Sequence, residues 1–102
     1  MMLKTEKRTL LTVITEALIE ETLLRDLEKR GVTTYTVCDA RGRGSRGKRD
    51  AAWREAGNIR IEVICARAVA ESTLQHIQAN YYDNYAMVAF LQDVEILRPE
   101  KF

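Results

Sequence analysis

An α+β fold of two strand–helix–strand halves is what these 102 residues predict. Three observations carry the expectation. Two segments place apolar residues at helical spacing, and each is flanked on both sides by short β-branched or apolar runs. A basic, glycine-rich stretch, 41–49, separates the two halves without any strand or helix pattern of its own. The length suits one domain with a single modest core, and 46% hydrophobic with 30% charged residues is ordinary for a globular chain.

The elements follow in order. Thr9-Leu10-Leu11-Thr12-Val13-Ile14 reads as a buried strand, and Thr15 as the N-cap of a helix, with Glu16 at the positive end of its dipole. Ile19, Leu23 and Leu27 form the apolar stripe of that helix, widened by Leu24. Glu20, Glu21, Arg25 and Glu28 mark its wet side, and Gly31 stops it. Thr33-Thr34-Tyr35-Thr36-Val37-Cys38 is a second strand. After the basic stretch, residues 50–57 have the composition of a helical turn or two. There Trp53, the only tryptophan, either packs the loop on the body or stacks on a ligand. Ile59 to Cys65 alternates cleanly, with Arg60 and Glu62 on the polar side. Ala70, Leu74, Ile77 and Tyr81 make the second helical stripe, and Tyr81 to Tyr85 end it with turn formers. Ala86 to Leu91 is a last buried strand, and Val94 to Leu97 a short extension before Pro99. This order is the split βαβ, or ferredoxin-like, βαββαβ arrangement, with a long loop, about 41–58, between the second and third strands. Both helices then cover one sheet face. The other face is left bare, which predicts a homo-oligomer.

The loop carries the functional signal. Arg41-Gly42-Arg43-Gly44-Ser45-Arg46-Gly47-Lys48-Arg49 holds five cations, three glycines and no anion. Glycine lets backbone N–H groups approach an anion, and arginine supplies forked donors that match phosphate or carboxylate. Without those five cations the rest of the chain holds 11 basic and 15 acidic side chains, a net charge of −4. Concentrated charge of this kind suits a small anion better than a long nucleic acid, which favours a broad basic face. The alternative is an RNA- or other nucleic-acid-binding module that uses the interleaved Arg and Gly. Gly42-x-x-x-x-Gly47-Lys48 matches a Walker loop only up to Arg49, where Ser or Thr should hold Mg²⁺. The chain is also too short for the usual large parallel sheet.

Other chemistry is sparse. Cys38 and Cys65 fit no zinc or redox spacing and read as buried thiols. His76, the only histidine, lacks neighbours in a ligand pattern and reads as a surface residue. No nucleophile–base set is visible, so a binding protein rather than an enzyme is expected, with no catalytic residue and no metal. Glu62 can recognise a ribose or an amine, or can pair with Arg60 or another neighbour. No membrane-length apolar run or leader pattern is present, and a cytoplasmic location is expected.

The local words and their order resemble PII signalling proteins. Tyr35 to Arg46 is similar to their strand-to-T-loop junction, and Ile61-Glu62-Val63-Ile64 to their third strand. Val13-Ile14-Thr15-Glu16, Gly42-x-Gly44-Ser45-Arg46 with Arg49, and Tyr81-Tyr82-Asp83-Asn84-Tyr85-Ala86 resemble the PII-like branch linked to inorganic carbon uptake. Within that branch the likeness is closest to the carboxysome-associated type, a relative of the type that accompanies a bicarbonate transporter. The resemblance spans residues 8 to 98 and implies a single PII-like domain over 1–102. It also implies a homotrimer with nucleotide clefts between subunits, AMP or ADP as ligand, bicarbonate as co-ligand, and a T-loop that regulates a partner protein in bicarbonate uptake or carbon fixation. A carboxysome-associated location is implied with it, and no nucleic-acid partner. By the same resemblance Thr36, Gly42 and Gly44 meet base and sugar, and Glu62 the ribose or base. Ser45, Arg46 and Arg49 hold phosphate, with bicarbonate near Ser45 and Arg46. Asn84, Tyr85 and Ala86 face the phosphates from across the cleft, and Arg98 is a further phosphate candidate. The family's Gly-Asp-Gly-Lys phosphate turn is replaced by Tyr82-Asp83-Asn84-Tyr85, which favours AMP or ADP over ATP.

Overall fold

The computed structural model describes residues 3–43 and 57–102. Gly44, Ser45, Arg46, Arg49, Trp53 and the helical turn expected at 50–57 therefore lie outside the described residues, Gly57 excepted. The first strand, β1 (Glu6–Glu16), is longer than its apolar core suggests because both its edges are paired. It runs antiparallel to the third strand from Thr9↔Cys65 to Glu16↔Asn58. It runs antiparallel to the fourth from Glu6↔Ile96 to Thr15↔Met87. Thr15 is thus a fully buried strand residue and not a helix cap. Its Oγ1 donates to the Ala86 carbonyl at 3.0 Å. Continuing the ladder outweighs a cap that contributes only about 1 kcal/mol.

A 3₁₀ turn, Ala17–Ile19, leads into α1 (Glu20–Lys29), which buries Leu23 and Leu27. The helix stops where the sequence places glycine. Gly31 has φ of 99°, its N–H bonds the Glu28 carbonyl, and the Val32 N–H reaches back to Leu27. This is a Schellman closure, and Val32 is buried behind it. β2 (Thr36–Ala40) begins three residues later than expected. Among the described residues it is an edge strand with β3 as its single partner, so β-branched composition at 33–35 does not suffice to extend it. Cys38, expected to be buried, is exposed there, whereas Cys65 is buried and its thiol is pushed up by burial.

β3 (Asn58–Cys65) alternates as read, with Ile59, Ile61, Val63 and Cys65 inside. β3 takes Asn58, so the chain between the end of β2 and the start of β3 runs from 41 to 57. In α2 (Arg67–Asn80) the buried positions are Ala70, Thr73 and Ile77, with Leu74 only partly covered, and Tyr81 lies just past the helix end. β4 (Met87–Ile96) absorbs both the expected last strand and its extension. It is not buried throughout, since Val88 and Phe90 are 47% and 36% exposed. A 3₁₀ turn, Pro99–Lys101, follows.

The sheet order is β2-β3-β1-β4, antiparallel throughout, which is the ferredoxin-like α+β fold. One face packs Leu11, Val13, Ile61 and Val63 against Leu23, Leu27, Ala70 and Ile77 in a single core. Strand alternation puts Leu10, Ile14, Ile64, Val88 and Phe90 on the opposite face. Among the described residues, no helix is long and apolar enough to cross a membrane.

Candidate functional site

Thr36 and Glu62 stand directly opposite one another in the β2–β3 register. Both belong to an open cavity of about 510 Å³ on the helix-free face, lined also by Leu10, Tyr35, Ile64, Lys101 and Phe102. The Glu62 carboxylate accepts from Arg60 Nε at 3.3 Å, and both side chains remain about two-fifths exposed. An exposed pair of this kind contributes little to stability, so both groups stay available to a ligand. The far wall comes from the chain after β4, which folds back over the face. Arg8 holds it there: Nε donates to the Phe102 carbonyl at 3.2 Å and Nη2 to the Pro99 carbonyl at 3.3 Å.

Arg98 is the expected phosphate candidate of this segment. Arg98 has a left-handed backbone, φ 55°, at the start of the 3₁₀ turn, and the residues of this segment that line the cavity are Lys101 and Phe102. No periodicity or motif marks those two residues.

Gly42 and Asn84–Ala86 lie elsewhere. The registers align Ala40, Asn58 and Glu16 in one row at the end of the sheet, and Ala86 bonds to Glu16 at its margin. The loop that carries the five cations leaves this row from Ala40 and returns at Gly57. Gly57 has φ of 76°, a conformation that favours glycine, and its carbonyl accepts the Ala17 N–H at 3.0 Å. A Cβ at Gly42 would meet nothing within 4 Å among the described residues.

The turn 82–85 is held at both ends. The Ala86 N–H donates to Glu16 Oε2 at 2.8 Å, and Thr15 Oγ1 caps the Ala86 carbonyl. The Tyr81 carbonyl accepts the N–H groups of Asn84 and Tyr85 at 3.0 and 3.2 Å. Thus Thr15-Glu16 and Tyr81 to Ala86, 70 residues apart, form one built unit. In a single chain this unit and the Thr36–Glu62 pair do not meet. Glu62 stands opposite Thr12 on β1, three strand residues, roughly 10 Å, short of Thr15, and Thr36 lies four strand residues, roughly 13 Å, from the loop end of β2.

His76 is not the free surface residue its surroundings in sequence suggest. Its Nε2–H donates to Asp26 Oδ2 at 2.6 Å, and Tyr81 Oη donates to the same oxygen at 2.8 Å. Burial opposes charge on Asp26 and is the largest single influence. The hydrogen bonds from His76 and Tyr81, with the positive charge of Arg30, outweigh it and hold the carboxyl below its ordinary range. The Tyr81 hydroxyl is pushed up to about 12 by burial and by its bond to Asp26. Because the folded Asp26 value lies below the unfolded one, its contribution is complete above about pH 4 and lost as pH falls through the folded value. The melting-temperature gap between wild type and Asp26→Asn is therefore expected at pH 7 and should narrow below about pH 4. A gap that stays constant down to pH 2 would contradict this assignment.

Comparison with known proteins agrees with this architecture. The sequence pattern of the family "Nitrogen regulatory protein P-II" matches residues 8–101. The fold superposes on the crystal structure of a protein from Thermus thermophilus, assigned as a PII-like signalling protein, with a TM-score of 0.82 and 37% identity over 98% of this chain and 99% of that one. It also superposes on CPII, a PII-like protein from Thiomonas intermedia solved with ADP and bicarbonate, with a TM-score of 0.84 and 24% identity over 99% of both chains. CPII has been solved with ADP, AMP and acetate as well; that structure matches with a TM-score of 0.83 and 24% identity over 98% of each chain. With a family pattern that covers nearly its whole length and a relative more than one third identical from end to end, this chain belongs to the nitrogen regulatory protein P-II family.

Proposed function

We propose that this protein is a PII-like regulator that binds AMP or ADP together with bicarbonate in clefts between subunits of a homotrimer. Ligand ordering of its T-loop then controls a partner protein in bicarbonate uptake or carbon fixation. The observation that carries the reading is the separation of the candidate residues into two walls. Thr36 and Glu62 line a cavity on the open sheet face, and Asn84–Ala86 sit on the opposite sheet edge beside the root of the loop. A second copy can supply the missing wall to each, and the apolar open face, with Val88 and Phe90 exposed, is the surface that would bring copies together. CPII, of the same fold, holds ADP with bicarbonate.

In this cleft Thr36 and Glu62 take the base and sugar, with Lys101 and Phe102 closing over them. The backbone at Gly42 and Gly44 joins them at the base and sugar, Ser45, Arg46 and Arg49 take phosphate, and bicarbonate sits beside Ser45 and Arg46. Each charge-assisted hydrogen bond contributes about 1.5–3 kcal/mol, against roughly 1–2 kcal/mol for ordering each backbone residue. A loop of this length needs several such contacts, so two anions acting together are physically reasonable. Bicarbonate is therefore expected to tighten ADP binding about 5- to 150-fold, the usual span of coupling between sites. Calorimetry of ADP with and without bicarbonate reads this. Equal affinities reject the bicarbonate limb, and no ADP binding at all rejects the nucleotide reading.

A further inference from the structure

We infer that Asp26, His76 and Tyr81 are positioning residues for the turn 82–85: a hydrogen-bonded clasp in the helix layer that sets how Asn84–Ala86 meet the ligand. The inference rests on the nucleotide reading above. None of the three residues lines the cavity beside Thr36 and Glu62, and Asp26 and His76 act through Tyr81.

The geometry supports this step by step. One carboxylate oxygen, Asp26 Oδ2 on α1, accepts His76 Nε2–H from α2 and the Tyr81 hydroxyl from just beyond α2. The Asn80 amide nitrogen lies 3.0 Å from His76 Nδ1 and 2.9 Å from the His76 carbonyl. An N–H₂ donor between two acceptors leaves Nδ1 unprotonated, and this network assigns the Nε2–H tautomer. His76 thus points its one proton at Asp26. Tyr81 is the root of the turn, because its carbonyl receives both Asn84 and Tyr85 N–H groups. Its ring also packs against Tyr85 and His76, with centroids 6.0 and 6.2 Å away.

The sheet end of the turn is fixed by Glu16 and Thr15 on β1. At the helix end, the Tyr81 side chain is tied by its hydroxyl to Asp26. An apolar trio could fill the same space, but it would not give the Tyr81 ring a direction. Three polar groups converging in one network do.

The test compares Tyr81→Phe, which keeps the ring, with Leu74→Ala, which removes half-buried apolar volume on α2 away from the turn. ADP affinity is read by calorimetry at a temperature offset that matches the two melting points. His76, as the single histidine, is read by ¹⁵N imidazole resonances. Tyr81→Phe is expected to weaken ADP binding about 5- to 10-fold, within the range by which residues remote from a ligand modulate it, while Leu74→Ala does not. In wild type the His76 resonances should show the Nε2–H tautomer and shift with ADP at the calorimetric midpoint. In Tyr81→Phe that response should disappear. Wild-type ADP affinity in Tyr81→Phe, or equal loss in Leu74→Ala, overturns the inference. If wild type takes up no ADP, the nucleotide reading has failed separately, and amide exchange at Tyr82–Tyr85 judges the clasp. Faster exchange in Tyr81→Phe supports it, and unchanged exchange overturns it.

Discussion

Phe90→Asp is expected to yield a folded monomer that no longer binds ADP with useful affinity. Phe90 lies near the middle of β4 on the helix-free face and is 36% exposed in the single chain, with Val88 beside it at 47%. Replacing a partly exposed side chain disturbs the chain's own core little, because that core lies on the other face among Leu11, Val13, Ile61 and Ile77. In the proposed homotrimer the same position would become interior. An unpaired carboxylate there costs several kcal/mol per ion, and symmetry introduces one from every copy. Loss of assembly removes one wall of each cleft. If that wall supplies two charge-assisted hydrogen bonds at about 1.5 kcal/mol each, the loss is about 150-fold in ADP affinity. Sedimentation, a circular-dichroism melt and calorimetry read the three parts of the expectation. A variant that still assembles, or a monomer that binds ADP like wild type, would show that the cleft does not lie between copies.

The fold was largely legible because its elements are marked by period. Ile59 to Cys65 alternates on a sheet with one face against the helices, and that face is the buried one. Leu23 and Leu27 predict the buried stripe of α1, and Gly31 its end, since only a residue comfortable at φ 99° closes the Schellman turn there. Neighbours in sequence are a poorer guide to a residue's surroundings. Thr15 has the composition of a cap, but its partner is Ala86, 71 residues away. Cys38 sits in an apolar word, but an edge strand with one neighbour leaves it exposed. His76 lacks ligands nearby in sequence, and its partner Asp26 is 50 residues distant. The candidate site divides the same way. Thr36, Glu62 and Asn84–Ala86 came from local words that the resemblance gave meaning, and the register shows Thr36 and Glu62 to be cross-strand neighbours. Lys101 and Phe102 carry no local signal, because Arg8 places them through backbone carbonyls that any sequence possesses.

Arg46→Ala is expected to separate ligand affinity from stability more sharply than any other single change in the loop. The segment 41–49 carries five cations and no anion, so removing one lowers repulsion among like charges. The strands that root the loop are fixed independently, by the β2–β3 ladder up to Ala40↔Asn58 and by the Gly57 carbonyl on Ala17. The unliganded melting point should therefore move by no more than about 3 °C, as for most surface substitutions. ADP affinity should fall about 10- to 150-fold, the equivalent of one charge-assisted hydrogen bond of about 1.5–3 kcal/mol. Bicarbonate coupling should shrink with it if both anions share this guanidinium. Arg46→Lys keeps the charge but loses the planar fork, so it should fall between the two. Three proteins, each titrated with ADP in the presence and absence of bicarbonate at one fixed ionic strength, decide the matter. Unchanged affinity in Arg46→Ala would remove this residue from the site. A matching loss in Arg46→Lys would mean that directed hydrogen bonds, rather than net charge, hold the phosphate.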